Sequence, residues 1–305
     1  MADGRTRRMH TVPEGYFEAF AVREPTRRTS HVWRFDRSSG ESKLLAVSNA
    51  EVSRDIYTVF DDDGAPDTGI EDELLCGLEG DFCTARNALS RPTPLSKDMW
   101  TGLARFIAAQ LLRTPRFFQL VRDGLDADGT PYEQDTLPRV MLSLIGFWIP
   151  RLARMRGTLA YNETGLPLLT CDNPAVTWKK VGEGFVCGVD QYDPDLFVSC
   201  PLSPTLMFAA AQTAESLKAV HAERHDIARA DRTPETFTSH VDIGTMPESE
   251  VKRMNHLCIS NAHRYVYANY CDKALLRFLQ NRFFGAPAPV RRRDGRAIGS
   301  PVEQL

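Results

Sequence analysis

The stretch 137-LPRVMLSLIGFWIPRLARMRGTLAYNE-163 changes its period midway, and that change decides the fold class. Residues 137–156 form an apolar helix, with a kink expected at Pro150 because proline lacks the N–H that a helix interior needs. From Thr158 the pattern is that of strands. Those expected are 158–163, 184–189, 197–200 and 205–210, with 167–171 as an apolar lead-in and turns rich in Gly, Pro, Asn and Asp between them.

Upstream, Val12-Pro13 opens a short helix with Tyr16, Phe17 and Phe20 on one face. A hairpin follows, with strands 31–37 and 43–48 joined through Ser38-Ser39-Gly40-Glu41. After a polar loop, 61–67, helices are expected over about 70–89 and 96–113. Thr114-Pro115 is either a break or the cap and first turn of another helix. Downstream, a helix over about 247–262, a strand 264–268 and a helix over about 272–283 complete the pattern. The expected class is therefore α+β: a mainly helical body packed on a small, mostly antiparallel β-sheet. The expected organisation is a flexible N-terminus (1–9), one domain over 10–285 with a polar exposed insertion at 213–240, and a disordered basic tail (286–305).

Charge narrows the function classes. The net charge is −3, with an acidic stretch at 61–82 and basic clusters at 5–8, 23–28 and 290–296. A protein that coats DNA needs clustered cations over its surface, and this balance disfavours it. The seven cysteines are odd in number and form no CxxC pair, which fits free thiols in a reducing cytoplasm better than a disulfide framework or zinc ribbon. No apolar signal core follows Met1, and the longest apolar run, 141–149, is about half a membrane span. The expectation is a cytoplasmic protein with no membrane partner.

Helical rotation picks out polar residues that fall on apolar faces. In helix 70–89, Glu71 lies near the centre of the stripe, and Glu79 and Arg86 share one flank. A carboxylate there is costly unless it is paired or binds something. Either glutamate suits a metal ligand, a general base or a partner for a buried arginine. The plain alternatives are a first-turn acid favoured by the helix dipole for Glu71 and a salt bridge to Arg86 for Glu79. In helix 96–113, Gln110 sits within the stripe and Arg113 at its edge. That pair makes a clamp for an anion, or a satisfied Gln beside an Arg paired with an acid such as Glu79. In helix 247–262, Asn255 and Asn261 read as hydrogen-bond braces.

His10 lies in the first ordered turn. His221 and His225 have i,i+4 spacing, but their surroundings are polar and offer no third ligand. Asp172-Asn173-Pro174 interrupts two apolar runs. It suits a turn, and it also suits a strand end that presents a reactive carboxylate. There is no GxxxxGK[ST], GxGxxG, GxSxG or HExxH, so nucleotide-hydrolase, Rossmann, α/β-hydrolase and zincin readings lose their usual support.

Taken in order, several segments resemble the domain of unknown function 4238 family. They are His10-Thr11-Val12-Pro13, Trp33, Asp55-Ile56-Tyr57, Glu71 with Glu79, and Gln110 to Arg113-Thr114-Pro115. Cys171-Asp172-Asn173-Pro174 follows, with Cys in place of the family's Ser. Pro201-Leu202-Ser203-Pro204 and Asn255, Asn261 and Arg264-Tyr265-Val266-Tyr267 close the set. The resemblance brings no activity with it, but it gathers the same polar residues that helical rotation singles out.

Three functional expectations follow. One is a metal-assisted hydrolase of phosphodiesters, a nuclease or nucleotide-processing enzyme. There His10, Glu79 and Asp172 do the chemistry, and Glu71, Glu79 and Asp172 hold Mg²⁺ or Mn²⁺. Gln110, Arg113, Asn173 and Asn255 bind the substrate. Another is a module that binds or senses a small anionic ligand, and the third is a buried polar network that only fixes the fold. A small anion or nucleic acid is the partner these readings imply.

Overall fold

The computed structural model describes residues 8–22, 28–54, 56–60, 66–67, 70–91, 95–133, 135–182, 184–212 and 241–285. The expected insertion at 213–240 with His221 and His225, the tail at 286–305, residues 1–7 and Asp55 lie outside the described residues.

The strands are β1 (Arg8–His10), β2 (His31–Asp36), β3 (Ser42–Ala46), β4 (Val52–Arg54), β5 (Val59–Phe60), β6 (Pro66–Asp67), β7 (Arg156–Tyr161) and β8 (Thr170–Cys171). They continue with β9 (Val176–Val181), β10 (Gly184–Cys187), β11 (Phe197–Ser203), β12 (Leu206–Ala211), β13 (Val241–Thr245) and β14 (Tyr265–Ala268). The helices are α1 (Glu14–Phe17), α2 (Cys76–Ala88), α3 (Lys97–Leu112), α4 (Pro115–Ala127), α5 (Thr136–Arg154), α6 (Glu248–Asn261) and α7 (Lys273–Gly285).

The class is α+β, but the expected proportions understate the strands. One sheet has six strands in the order β10-β9-β11-β12-β7-β13, and a second has four in the order β3-β2-β14-β8. Both are antiparallel except where β13 runs parallel to β7. The strands β9 and β13 and the ribbon β1–β4 carry no alternation long enough to announce them. They form because neighbouring strands offer a ladder.

Alternation places the layers. On one face of the six-stranded sheet Leu159, Phe208, Val198 and Cys200 join the core under α2, α3 and α5. On the other face Ala160, Met207, Phe197 and Trp178 pack against Val251, Met254 and Leu257 of α6. Helix α6 then turns Cys258, Ile259 and Ala262 toward Phe35, Cys171 and Val266 of the four-stranded sheet, with Leu275 and Leu279 of α7 in the same cluster. It lies between the two sheets, which is why polar residues on it can reach both.

The helix ends follow local chemistry. Ser96 accepts from the Met99 N–H at 3.2 Å and starts α3. Thr114 does the same for Phe117 at 3.4 Å, so Thr114-Pro115 is the cap and first residue of α4 rather than a break. The expected helix 70–89 is a π-helical segment over Ile70–Leu75 that runs into α2. Pro150 sits inside α5, and Pro13 caps α1 from outside its first turn.

Candidate functional site

Asp172 is buried at 1% exposure at the end of β8. Its Oδ1 accepts the His263 N–H at 2.8 Å, and its Oδ2 accepts those of Arg264 at 2.6 Å and Tyr265 at 2.8 Å. The carboxylate thus holds the turn that carries the chain from α6 into β14. Burial pushes its pKa up, and the three backbone donors oppose that rise. Asn173 and Asn261 close the same turn: the Asn261 side chain donates to the Asn173 carbonyl at 2.6 Å and the Ala175 carbonyl at 3.2 Å. One and a half turns earlier, Asn255 accepts from Leu169 N at 2.8 Å and donates to the Pro167 carbonyl at 2.9 Å. These side chains lace the segment 167–175 to α6.

Arg113, at the C-terminal end of α3, is fully buried. It donates to Glu79 at 2.9 Å, to the His10 carbonyl and to the Tyr57 hydroxyl at 3.4 Å. The Tyr57 hydroxyl in turn donates to the Arg113 carbonyl at 2.8 Å. Arg113 therefore pins β1, α2 and the segment around Tyr57 together. His10 contributes its backbone to this pin, and its ring Nε2 lies 3.3 Å from the Ser48 carbonyl. Arg86 reaches the Gly15 carbonyl rather than Glu79. Gln110 is fully buried, and among the described residues neither atom of its amide has a partner. The side chain of Glu71 lies outside the described residues. Among the described residues no three His, Cys, Asp or Glu side chains gather as a metal site.

The polar residues named from the sequence thus fall in two places: the Arg113 pin, with His10, Glu79 and Tyr57, and the Asp172 turn, with Asn173, Asn255 and Asn261. Between them stands a carboxyl that the sequence does not single out. Glu51 lies just before β4 with φ of 49°, a left-handed backbone that costs a side-chain-bearing residue energy. Thr11 holds it there. The Thr11 N–H donates to the Glu51 carbonyl at 2.9 Å, and the Thr11 hydroxyl lies 3.3 Å from Oε2. The Tyr267 hydroxyl donates to Oε1. Burial first, and then the nearby Asp172 charge, lift the Glu51 carboxyl to about 7, while Tyr267, Thr11 and Arg34 oppose the rise. Nothing in 50-AEVSRD-55 signals this, because a left-handed glutamate is imposed by its contacts.

Register supplies the surroundings. Directly opposed antiparallel residues share a face. Tyr267 pairs with Arg34 and with Thr170, Tyr265 pairs with Asp36, and Arg34 pairs with Lys43. One face of the four-stranded sheet therefore carries Arg34, Asp36, Lys43, Thr170, Tyr265 and Tyr267, of which Tyr267 and Arg34 act on Glu51, while the other buries Phe35, Cys171 and Val266. The Arg34 guanidinium lies 4.4 Å from the centre of the Tyr265 ring, and that of Arg264 lies 4.9 Å from it. Arg264 is committed to Asp36 at 2.8 Å. Among the described residues no carboxylate or carbonyl takes the N–H groups of half-buried Arg34. A half-buried carboxyl that titrates near neutrality thus stands beside an uncommitted guanidinium, a phenol and a hydroxyl.

An α+β fold is the class that these features define, with a raised carboxyl and an arginine brought together on one sheet face. Comparison with family models places the chain more narrowly: residues 8–272 match the family described as "Protein of unknown function (DUF4238)". The chain belongs to that family. Comparison with curated proteins and with solved structures gives no match.

Proposed function

We propose that this protein is a hydrolase of small anionic esters, phosphodiesters foremost, working by proton transfer at Glu51. The observation that carries the reading is the Glu51 carboxyl, lifted to about 7 beside the uncommitted Arg34. A group with that pKa both takes and returns a proton at neutral pH, which is what general acid–base catalysis needs. Arg34 would hold the anionic oxygen of the substrate in its planar fork. Glu51 would draw the proton from an attacking water, and Tyr267 would hold the carboxyl in place. Asp172 keeps the loop 263–265 in position and raises Glu51 by its charge. Arg113 and Glu79 act through the scaffold.

The test is turnover of bis(4-nitrophenyl) phosphate and a panel of other anionic esters by the wild-type chain and by Glu51→Gln and Arg34→Gln. Glu51→Gln is expected to lower kcat by about 10²–10⁴ with folding intact, the usual worth of a positioned acid or base. Arg34→Gln is expected to raise KM more than it lowers kcat. Turnover unchanged in Glu51→Gln would sink the proposal.

A second reading, binding without turnover, rests on the uncommitted Arg34, because the chain's own groups already engage Asp172 and Arg113. It predicts an anion-dependent rise in melting temperature, lost in Arg34→Gln, with no turnover in any variant.

A further inference from the structure

A cleft of about 530 Å³ lies along the C-terminal half of α5, lined by Gly146, Phe147, Pro150, Arg151, Arg154, Met155 and Gln212. Its volume falls in the range that holds a small ligand. We propose that this cleft binds a nucleotide-type ligand, an aromatic ring carrying a phosphate, at a site separate from Glu51.

Three features define that chemistry. Arg151 and Arg154 are three residues apart on the last turns of α5, so their side chains rise from one face. Among the described residues neither guanidinium meets a carboxylate, and the Arg151 Nε is buried without a partner. Two full positive charges outweigh the half negative charge of the helix end beside them. Their planar donors match phosphate oxygens.

The second feature is aromatic. Tyr192, in the loop between β10 and β11, is 69% exposed. Its ring meets Phe147 edge-on at 6.1 Å and lies 5.9 Å from the Arg151 guanidinium. An exposed tyrosine fixed against a phenylalanine and an arginine is a platform for a flat ring. Two of the three acids of its own loop are engaged within the chain, Asp190 accepting the Tyr192 N–H at 2.8 Å and Asp193 pairing with Lys179 at 2.7 Å, while Asp195 is exposed.

The third feature is an acceptor. Pro150 has no N–H, so the Gly146 carbonyl lacks the donor that a helix would supply four residues on. Both residues line the cleft. A base with an exocyclic amine can donate there.

The experiment is calorimetric titration of the full chain with AMP, with adenosine and inorganic phosphate as partial probes. AMP is expected to bind saturably and more tightly than either fragment. Binding should weaken at least about tenfold in Arg151→Gln and in Arg154→Gln, each loss being about 1.4 kcal/mol. Tyr192→Ala should weaken AMP and adenosine together, and Arg34→Gln should leave the Arg151-dependent binding of AMP in place. Because Arg154 is exposed, Arg154→Gln should keep the wild-type melting temperature. No saturable binding of AMP overturns the proposal. So does adenosine binding as tightly as AMP, or a loss of AMP binding in Arg34→Gln. AMP binding absent together with a lowered melting temperature in Arg154→Gln would mean that the chain's own residues fill the cleft, which overturns it as well.

Discussion

Glu51 makes the clearest claim at the scale of single residues. Its carboxyl sits at about 7 in the fold and at its ordinary value near 4.5 in the unfolded chain. Between those limits the folded protein holds a proton that the unfolded chain has lost. The associated stability is fully present below about pH 4.5 and is lost as the pH rises to 7, by at most ~3 kcal/mol at 1.36 kcal/mol per pKa unit. Asp172, also raised, adds in the same direction. Glu51→Gln removes the titration. Its melting temperature relative to wild type should climb between pH 5 and 8 and then level off. A difference that is flat with pH would show that Glu51 titrates normally.

Local sequence exposes some of these residues and hides others, for a physical reason. Asp172, Arg113 and Gln110 are visible because they are polar on apolar neighbourhoods, and all three are buried. Glu51 is invisible because its burial, its strained backbone and its charged neighbour all arise from segments far along the chain: Thr11, Tyr267 and Asp172.

Element by element, α3 is the central piece, lying between α2 and α5. Its Trp100 packs on Gly157 at the start of β7, and its ring nitrogen donates to the Ala153 carbonyl at 3.2 Å. A Cβ added at Gly157 would stand 2.3 Å from that ring. The ring is only 1% exposed and cannot step aside. Gly157→Ala is expected to cost ~3 kcal/mol, read as a lower urea midpoint at unchanged slope. Gln110, on the same helix, works the other way. Two buried amide atoms without partners are a burden, so Gln110→Leu is expected to raise stability by ~1–2 kcal/mol in chemical denaturation. A loss instead would mean that the amide has a bound water or ligand as partner. Thr114-Pro115 by itself left a break and a helix cap both open, whereas the span of α3 and the apolar length of α5 could be placed from local sequence. The ribbon β1–β4 and the parallel strand β13 could not, because each is only three to five residues long and gains its hydrogen bonds from strands distant in sequence.

Across the whole molecule, two sheets share one core through a few polar ties. The Tyr16 hydroxyl is one of them, 2.7 Å from Thr170 in the four-stranded sheet and 2.5 Å from the Pro201 carbonyl in the six-stranded sheet. Its ring stacks among Phe20, Phe82 and Phe106. Tyr16→Phe keeps the packing and deletes the tie, leaving a buried carbonyl short of a donor. The expected cost is ~1–3 kcal/mol in chemical denaturation, with the far-ultraviolet spectrum unchanged. No helix among the described residues is long and apolar enough to cross a membrane.

By itself the sequence determined the α+β class, most helix positions and a set of polar residues set against apolar faces. Those features depend on neighbours within a few positions, where period and turn chemistry act. Only the tertiary structure decided that there are two sizeable sheets, that Asp172 and the asparagines lace the segment 167–175 to α6 and the turn after it, and that Glu51 stands beside Arg34. Strand partners, desolvation and the field of a distant charge are properties of chain segments brought together, and no short stretch contains them.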